Sequence, residues 1–112
     1  MPLVSAAILK QATDLIVREL DPKRIILFGS QARGNTNADS DVDFLVVDSK
    51  SFGPGRSRRK EFAKLAKALM PLPISKDILL YSDDEVNFWK NAPNHIIARA
   101  LKEGKVLYER DD

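Results

Sequence analysis

Cysteine is absent from this chain of 112 residues, which excludes disulfides and thiolate metal sites and suits a reducing compartment. Histidine occurs once, at His95, and with no second ligand of its kind it receives no metal-binding or catalytic assignment. No apolar stretch approaches the roughly 20 residues needed to span a bilayer. The N-terminus also lacks the basic start, apolar stretch and small-residue cleavage site of a signal peptide. The expected location is the cytoplasm, with no membrane partner. Charge of one sign is not in excess: 18 Lys plus Arg against 16 Asp plus Glu leave +2. That balance is too small to argue for nucleic acid. Aromatic residues make up only 7%, whereas single-stranded nucleic acid is usually held by exposed rings. The remaining composition, 44% apolar and 30% charged, is that of an ordinary globular protein. The length predicts one domain, residues 1–112, around one core.

Leu3, Ala7, Ile8, Ala12, Leu15, Ile16 and Leu20 recur at helical spacing, so the first twenty residues predict an amphipathic helix, ended by Asp21-Pro22. Arg24 to Phe28 predicts a buried strand that enters a Gly29-Ser30 turn, with a short helix from Ser30 to Arg33. Asn35 to Ser40 is polar turn sequence, and Val42 to Val47 predicts a second strand. Residues 48–57 carry glycine and proline and predict a mobile loop. A second helix follows, with Phe62, Leu65, Ala66 and Leu69 as its apolar stripe, stopped by Pro71 and Pro73. Ile74 to Tyr81 predicts a third strand. Helices are predicted over Asp83–Lys90 and Asn94–Lys102, with Gly104 as a C-terminal cap and a last strand over Lys105–Tyr108. Alternating elements of this kind predict an α/β (α+β) fold, a sheet covered by helices.

Chemistry concentrates around Asp41 and Asp43. Side chains of a strand alternate faces, so these two carboxylates project from the same side. Asp43 leads directly into Phe44-Leu45-Val46-Val47, where an unpaired carboxylate costs several kcal/mol. A cation or a basic partner removes that penalty. Asp77, beside the apolar run Ile78-Leu79-Leu80, is the candidate third acid; its alternative role is an ion pair with a lysine at the strand start. Gly29 and Ser30 follow a strand and open a turn, where backbone N–H groups can receive a phosphate. Arg33 suits a phosphate contact or, equally, pairing with a site aspartate or the sheet edge.

Gly29-Ser30-Gln31-Ala32-Arg33-Gly34, followed by Ser40-Asp41-Val42-Asp43, resembles the nucleotidyltransferase superfamily, and within it the minimal nucleotidyltransferase subgroup. The closing Glu103-Gly104-Lys105-Val106-Leu107-Tyr108-Glu109 is similar to that subgroup's C-terminal end. The resemblance covers nearly the whole chain. It implies a mixed sheet of about four strands flanked by helices. It further implies two Mg²⁺ ions bridging ATP and Asp41, Asp43 and Asp77, with Asp77 helping to deprotonate the attacking hydroxyl. Gly29 and Ser30 would then hold the β- and γ-phosphates. Minimal members commonly stand beside a HEPN-type RNase toxin and act as its antitoxin, in many cases by transferring AMP to a tyrosine of that partner. Larger relatives carry an additional acceptor-binding domain, for which these 112 residues leave no room. Homodimer and hetero-oligomer both remain open.

Two other functions compete with protein adenylylation. One is a non-catalytic antitoxin that neutralises its partner by binding alone. The other is nucleotidyl transfer to a small molecule or an RNA end. Arg56, Arg58, Arg59, Lys60, Lys64 and Lys67 form a basic cluster that is either a solvated helix face or a docking and steering surface. Only Phe52 lies near it, so nucleic acid is not expected as a direct ligand. Phe88 and Trp89 are assigned to core or interface, and Tyr81 and Tyr108 to packing.

Overall fold

The two apolar runs Ile25–Phe28 and Val42–Val47 form neighbouring antiparallel strands at the centre of a four-stranded sheet. The computed structural model describes residues 5–29 and 41–110; the short helix expected over Ser30–Arg33 and the Asn35–Ser40 turn lie outside them. Strand β1 (Arg24–Phe28) pairs with β2 (Val42–Asp48) from Arg24↔Val47 to Phe28↔Asp43. On the far side of β2, β3 (Lys76–Ser82) runs parallel to it. On the far side of β1, β4 (Lys105–Glu109) runs antiparallel, giving the mixed order β3-β2-β1-β4.

Helices cover both faces, which is why β2 is buried continuously from Phe44 to Asp48 instead of alternating. On one face, Ala12 and Ile16 of α1 (Ala6–Leu20) and Leu65 and Leu69 of α2 (Arg58–Leu69) pack on Ile25, Leu27, Val42, Phe44, Val46 and Leu80. On the other, Val86 of α3 (Asp83–Trp89) with Ile97 and Ala100 of α4 (Ile96–Glu103) packs on Ile26, Leu45 and Val47. Among the described residues no helix is long and apolar enough to cross a membrane.

Serine caps three helix starts: Ser5 accepts from Ile8 N–H, Ser57 from Lys60 N–H, and Ser82 from Glu85 N–H. The Glu85 carboxylate returns a bond to Ser82 N–H, completing a capping box. His95 caps α4 through Nδ1 and stacks on Trp89 with ring centroids 4.2 Å apart. Its role is therefore local architecture. The α4 helix starts two residues later than predicted because Asn94 has φ 65°, a left-handed conformation that a helix interior cannot use. Likewise β3 starts at Lys76 instead of Ile74; residues 71–74 turn first, with Leu72 N–H bonded to Leu69 O and Ile74 N–H to Leu72 O. Gly104 does end α4, but with φ −81° it is not a left-handed cap. Glycine is needed there because a Cβ would lie 2.4 Å from both Ala100 O and Ile26 Cγ2.

The loop expected to be mobile is tied down. Gly53 and Arg56 exchange both backbone hydrogen bonds at 2.9 Å, and the Arg56 guanidinium bonds the buried Asp48 carboxylate while lying over the Phe52 ring. Asp48 also accepts from Lys50 N–H at 3.0 Å. Arg58 holds the start of α2 to α3: it donates to Leu80 O at 2.8 Å and to both Glu85 carboxylate oxygens. The hydrogen bond from Arg58 holds the Glu85 carboxyl below its ordinary value near 4.5, and the same bond raises the guanidinium.

A depressed carboxyl contributes stability that is complete above its unfolded pKa and lost as the pH falls through the folded one. Glu85→Gln is therefore expected to lower the melting temperature at neutral pH, by an amount matching about 1 kcal/mol or less because both partners are partly solvated. The difference from wild type should close as the pH falls past the ordinary glutamate value and through the lowered one of the folded state. Parallel thermal melts across that range check this, and a gap that stays constant with pH contradicts the assignment.

Candidate active site

The site is assembled where β1 ends and where β2 and β3 begin. Backbone register sets Phe28 beside Asp43 and Asp43 beside Asp77. Partners in a ladder share a face, so Asp43 and Asp77 are neighbouring carboxylates on one side of the sheet. The side is the one covered by α3 and α4, because Leu45 and Val47, at even steps from Asp43, pack there. Leu79 and Tyr81, at even steps from Asp77, pack there too. Asp41 immediately precedes β2, two residues before Asp43. Asp43 is half-buried, whereas Asp41 and Asp77 are exposed.

Gly29 closes β1 with φ +77°, a conformation that side-chain-bearing residues rarely adopt. Absence of a side chain matters for a second reason. A Cβ at this position would lie 2.2 Å from Asp43 Oδ2, so the backbone bend and the carboxylate occupy adjoining space. The glycine thus permits the Asp43 side chain to rise beside the bend that follows β1.

Lys76, the lysine at the start of β3, does not pair with Asp77. Its ammonium donates to Leu72 O and Ile74 O, each at 3.2 Å, which takes away the ion pair that would have explained Asp77 as purely structural. Asp41 Oδ1 accepts a hydrogen bond from the Ser75 hydroxyl. Among the described residues no three acidic, histidine or cysteine side chains stand close enough together to hold a metal ion as placed. The donor chemistry nonetheless fits Mg²⁺, a hard cation that takes oxygen ligands and usually keeps several waters beside one or two carboxylates. Asp43 and Asp77 would be that pair, with Asp41 two residues from Asp43.

Of the residues singled out from sequence, Gly29, Asp43 and Asp77 come together, with Asp41 at their edge. Ser30 and Arg33 lie outside the described residues. Ser75 was not anticipated. Its signal was its position two residues before Asp77, matching Asp41 two residues before Asp43.

Residues 10–112 match the family described as polymerase beta, nucleotidyltransferase. Protein adenylyltransferase MntA of Aphanizomenon flos-aquae is 35% identical over 92 residues, covering 78% of this chain and 57% of that protein. The chain thus spans a little over half the length of that relative. A putative protein adenylyltransferase of Methanocaldococcus jannaschii is 33% identical over 86 residues, covering 77% of this chain and 78% of that protein. A chain in the crystal structure of a toxin-antitoxin with AMP-PNP superposes with a TM-score of 0.55 at 25% identity, covering 92% of this chain and 74% of that one.

Gly29→Ala is expected to destabilise the fold by more than about 1 kcal/mol, since it forces a Cβ into a positive-φ position. Part of the cost is the contact with Asp43, so the same change in an Asp43→Ala background should cost less, by about 0.5–3 kcal/mol. Urea denaturation of the four variants measures the coupling; strict additivity would show that the bend and the carboxylate are independent.

Proposed function

Because the chain belongs to the polymerase beta nucleotidyltransferase family, we propose that it transfers AMP from ATP to a hydroxyl of a partner protein. We further propose that the acceptor is a tyrosine of a HEPN-type RNase toxin, which the transfer neutralises. The observation that carries the reading is the pairing of Asp43 with Asp77 beside the Gly29 bend. Asp41, two residues before Asp43, adds a third carboxylate at the same end of the sheet. The nature of the named relatives supports protein adenylylation over other transfers, as does the AMP-PNP-bound toxin-antitoxin neighbour.

In this reading the acceptor hydroxyl attacks the α-phosphorus of ATP. An oxygen–phosphorus bond forms to the acceptor, the bond to the bridging oxygen of the β-phosphate breaks, and pyrophosphate leaves. The hydroxyl proton passes to the Asp77 carboxylate, which is exposed and therefore accessible to an incoming side chain. Asp41, Asp43 and Asp77 would hold the Mg²⁺ ions, which when bound offset the charge developing on the attacking and leaving oxygens. Gly29 brings no side chain to the bend, and with Ser30 it would receive the β- and γ-phosphates. Most of the rate then comes from positioning and charge stabilisation.

Incubating the chain with a HEPN-type partner, ATP and Mg²⁺, and then weighing the intact partner, tests the proposal. An AMP-sized mass increase is expected, slowed at least about a hundredfold by Asp77→Asn, the size expected for loss of a general base. Asp43→Asn should abolish it, and EDTA should do the same. Full neutralisation of the toxin by both variants, with no change in its mass, would replace catalysis with simple complex formation.

A further inference from the structure

The two strands that carry the acids are joined by a contact that the reaction scheme above does not use. Ser75 stands one residue before β3, and its carbonyl accepts the Val42 N–H at 2.9 Å at the mouth of the β2–β3 ladder. Its hydroxyl donates to Asp41 Oδ1. Carrying the register Val42↔Lys76 and Asp43↔Asp77 back one step puts Ser75 opposite Asp41. The mouth of the ladder therefore has two functional rungs: a hydroxyl facing a carboxylate, then a carboxylate facing a carboxylate.

Both Ser75 and Asp41 are exposed, so their hydrogen bond competes with water and adds little to folding. Its consequence is directional. Asp41 stands before the strand proper, where the ladder does not fix its side chain, and the Ser75 donor selects one orientation toward β3. We propose that Ser75 is a positioning residue that fixes the carboxylate of Asp41 for a divalent cation shared with Asp43. This rests on the reading of Asp41 and Asp43 as cation ligands given above. The bond and the cation are compatible, since an ionised carboxylate offers about four lone-pair sites and the serine uses one. As a neutral donor, Ser75 also relieves repulsion on this face without adding a charge. Donors that orient a ligating group typically alter metal affinity by about 10–100-fold when removed.

The test is direct titration with Mn²⁺ alone, reading unbound ion by its electron paramagnetic resonance signal. Wild type, Ser75→Ala, Ser75→Thr and Asp43→Asn are compared, each with a thermal melt in EDTA. Ser75→Ala is expected to raise the dissociation constant about tenfold or more, with the metal-free melt unchanged. Ser75→Thr keeps the hydroxyl and should restore wild-type affinity. The proposal is overturned if Ser75→Ala binds Mn²⁺ as tightly as wild type while Asp43→Asn does not. It is equally overturned if Ser75→Ala loses its thermal transition, since Ser75 would then be a folding residue. Should wild type and Asp43→Asn alike take up no Mn²⁺, the cation reading itself fails, and with it the role of Ser75.

Discussion

Register partners in a parallel ladder keep their side chains on one face, and between β2 and β3 this rule sets Asp43 beside Asp77. Two neighbouring carboxylates repel, yet in contact with water the repulsion is only about 1 kcal/mol at ~4 Å. Against it stands the core. Slipping β3 by one residue would turn Leu80, which packs between the sheet and α1–α2, to the opposite face. Ile78 would move with it, and both would have to repack in the layer that Leu79 and Tyr81 now fill, a kind of misfit that typically costs about 1–3 kcal/mol. The hydrophobic pattern of β3 therefore holds the acids together although they repel. Everything proposed for the site, including the role of Ser75, depends on this pairing.

The opposite end of the sheet is built to other rules. There the strand ends carry acids that find cations: Asp48 with Arg56, Glu85 with Arg58, and Asp83 with Lys23 at 2.9 Å. Lys23 N–H also bonds Val47 O at 2.7 Å, closing β1 against β2 at that end. These contacts hold the loop after β2 and the starts of α2 and α3. They lie at the end of the sheet opposite Asp43 and Asp77, where β2 and β3 begin.

The basic cluster of the α2 region is divided by the fold. Arg56 and Arg58 are structural: each bonds a carboxylate and lies over the Phe52 ring, 4.8 Å from its centroid. Arg59, Lys60, Lys64 and Lys67 remain exposed on the helix. Phe52, the one aromatic residue that could have suggested stacking on a base, is covered by the two guanidinium groups instead. Phe88 stays 75% exposed beside Trp89, edge to face at 4.9 Å, so α3 ends in an aromatic pair outside the core.

Local pattern determined much of this protein. The apolar run of β2 was enough to place Asp43 at the start of that strand, and apolar spacing located the helices and strands among the described residues to within about two positions, except that α1 begins only at Ala6, after the cap Ser5. The glycine at 29 was legible too, because a strand running into Gly-Ser marks a turn whatever surrounds it. Tertiary structure decided what depends on chain segments far apart in sequence. Which residue of β3 faces Asp43, where Ser75 directs its hydroxyl, why Lys76 leaves Asp77 alone and how Arg56 anchors the loop all follow from cross-strand register and packing. Those are set by the core as a whole, and a window of neighbouring residues does not contain them.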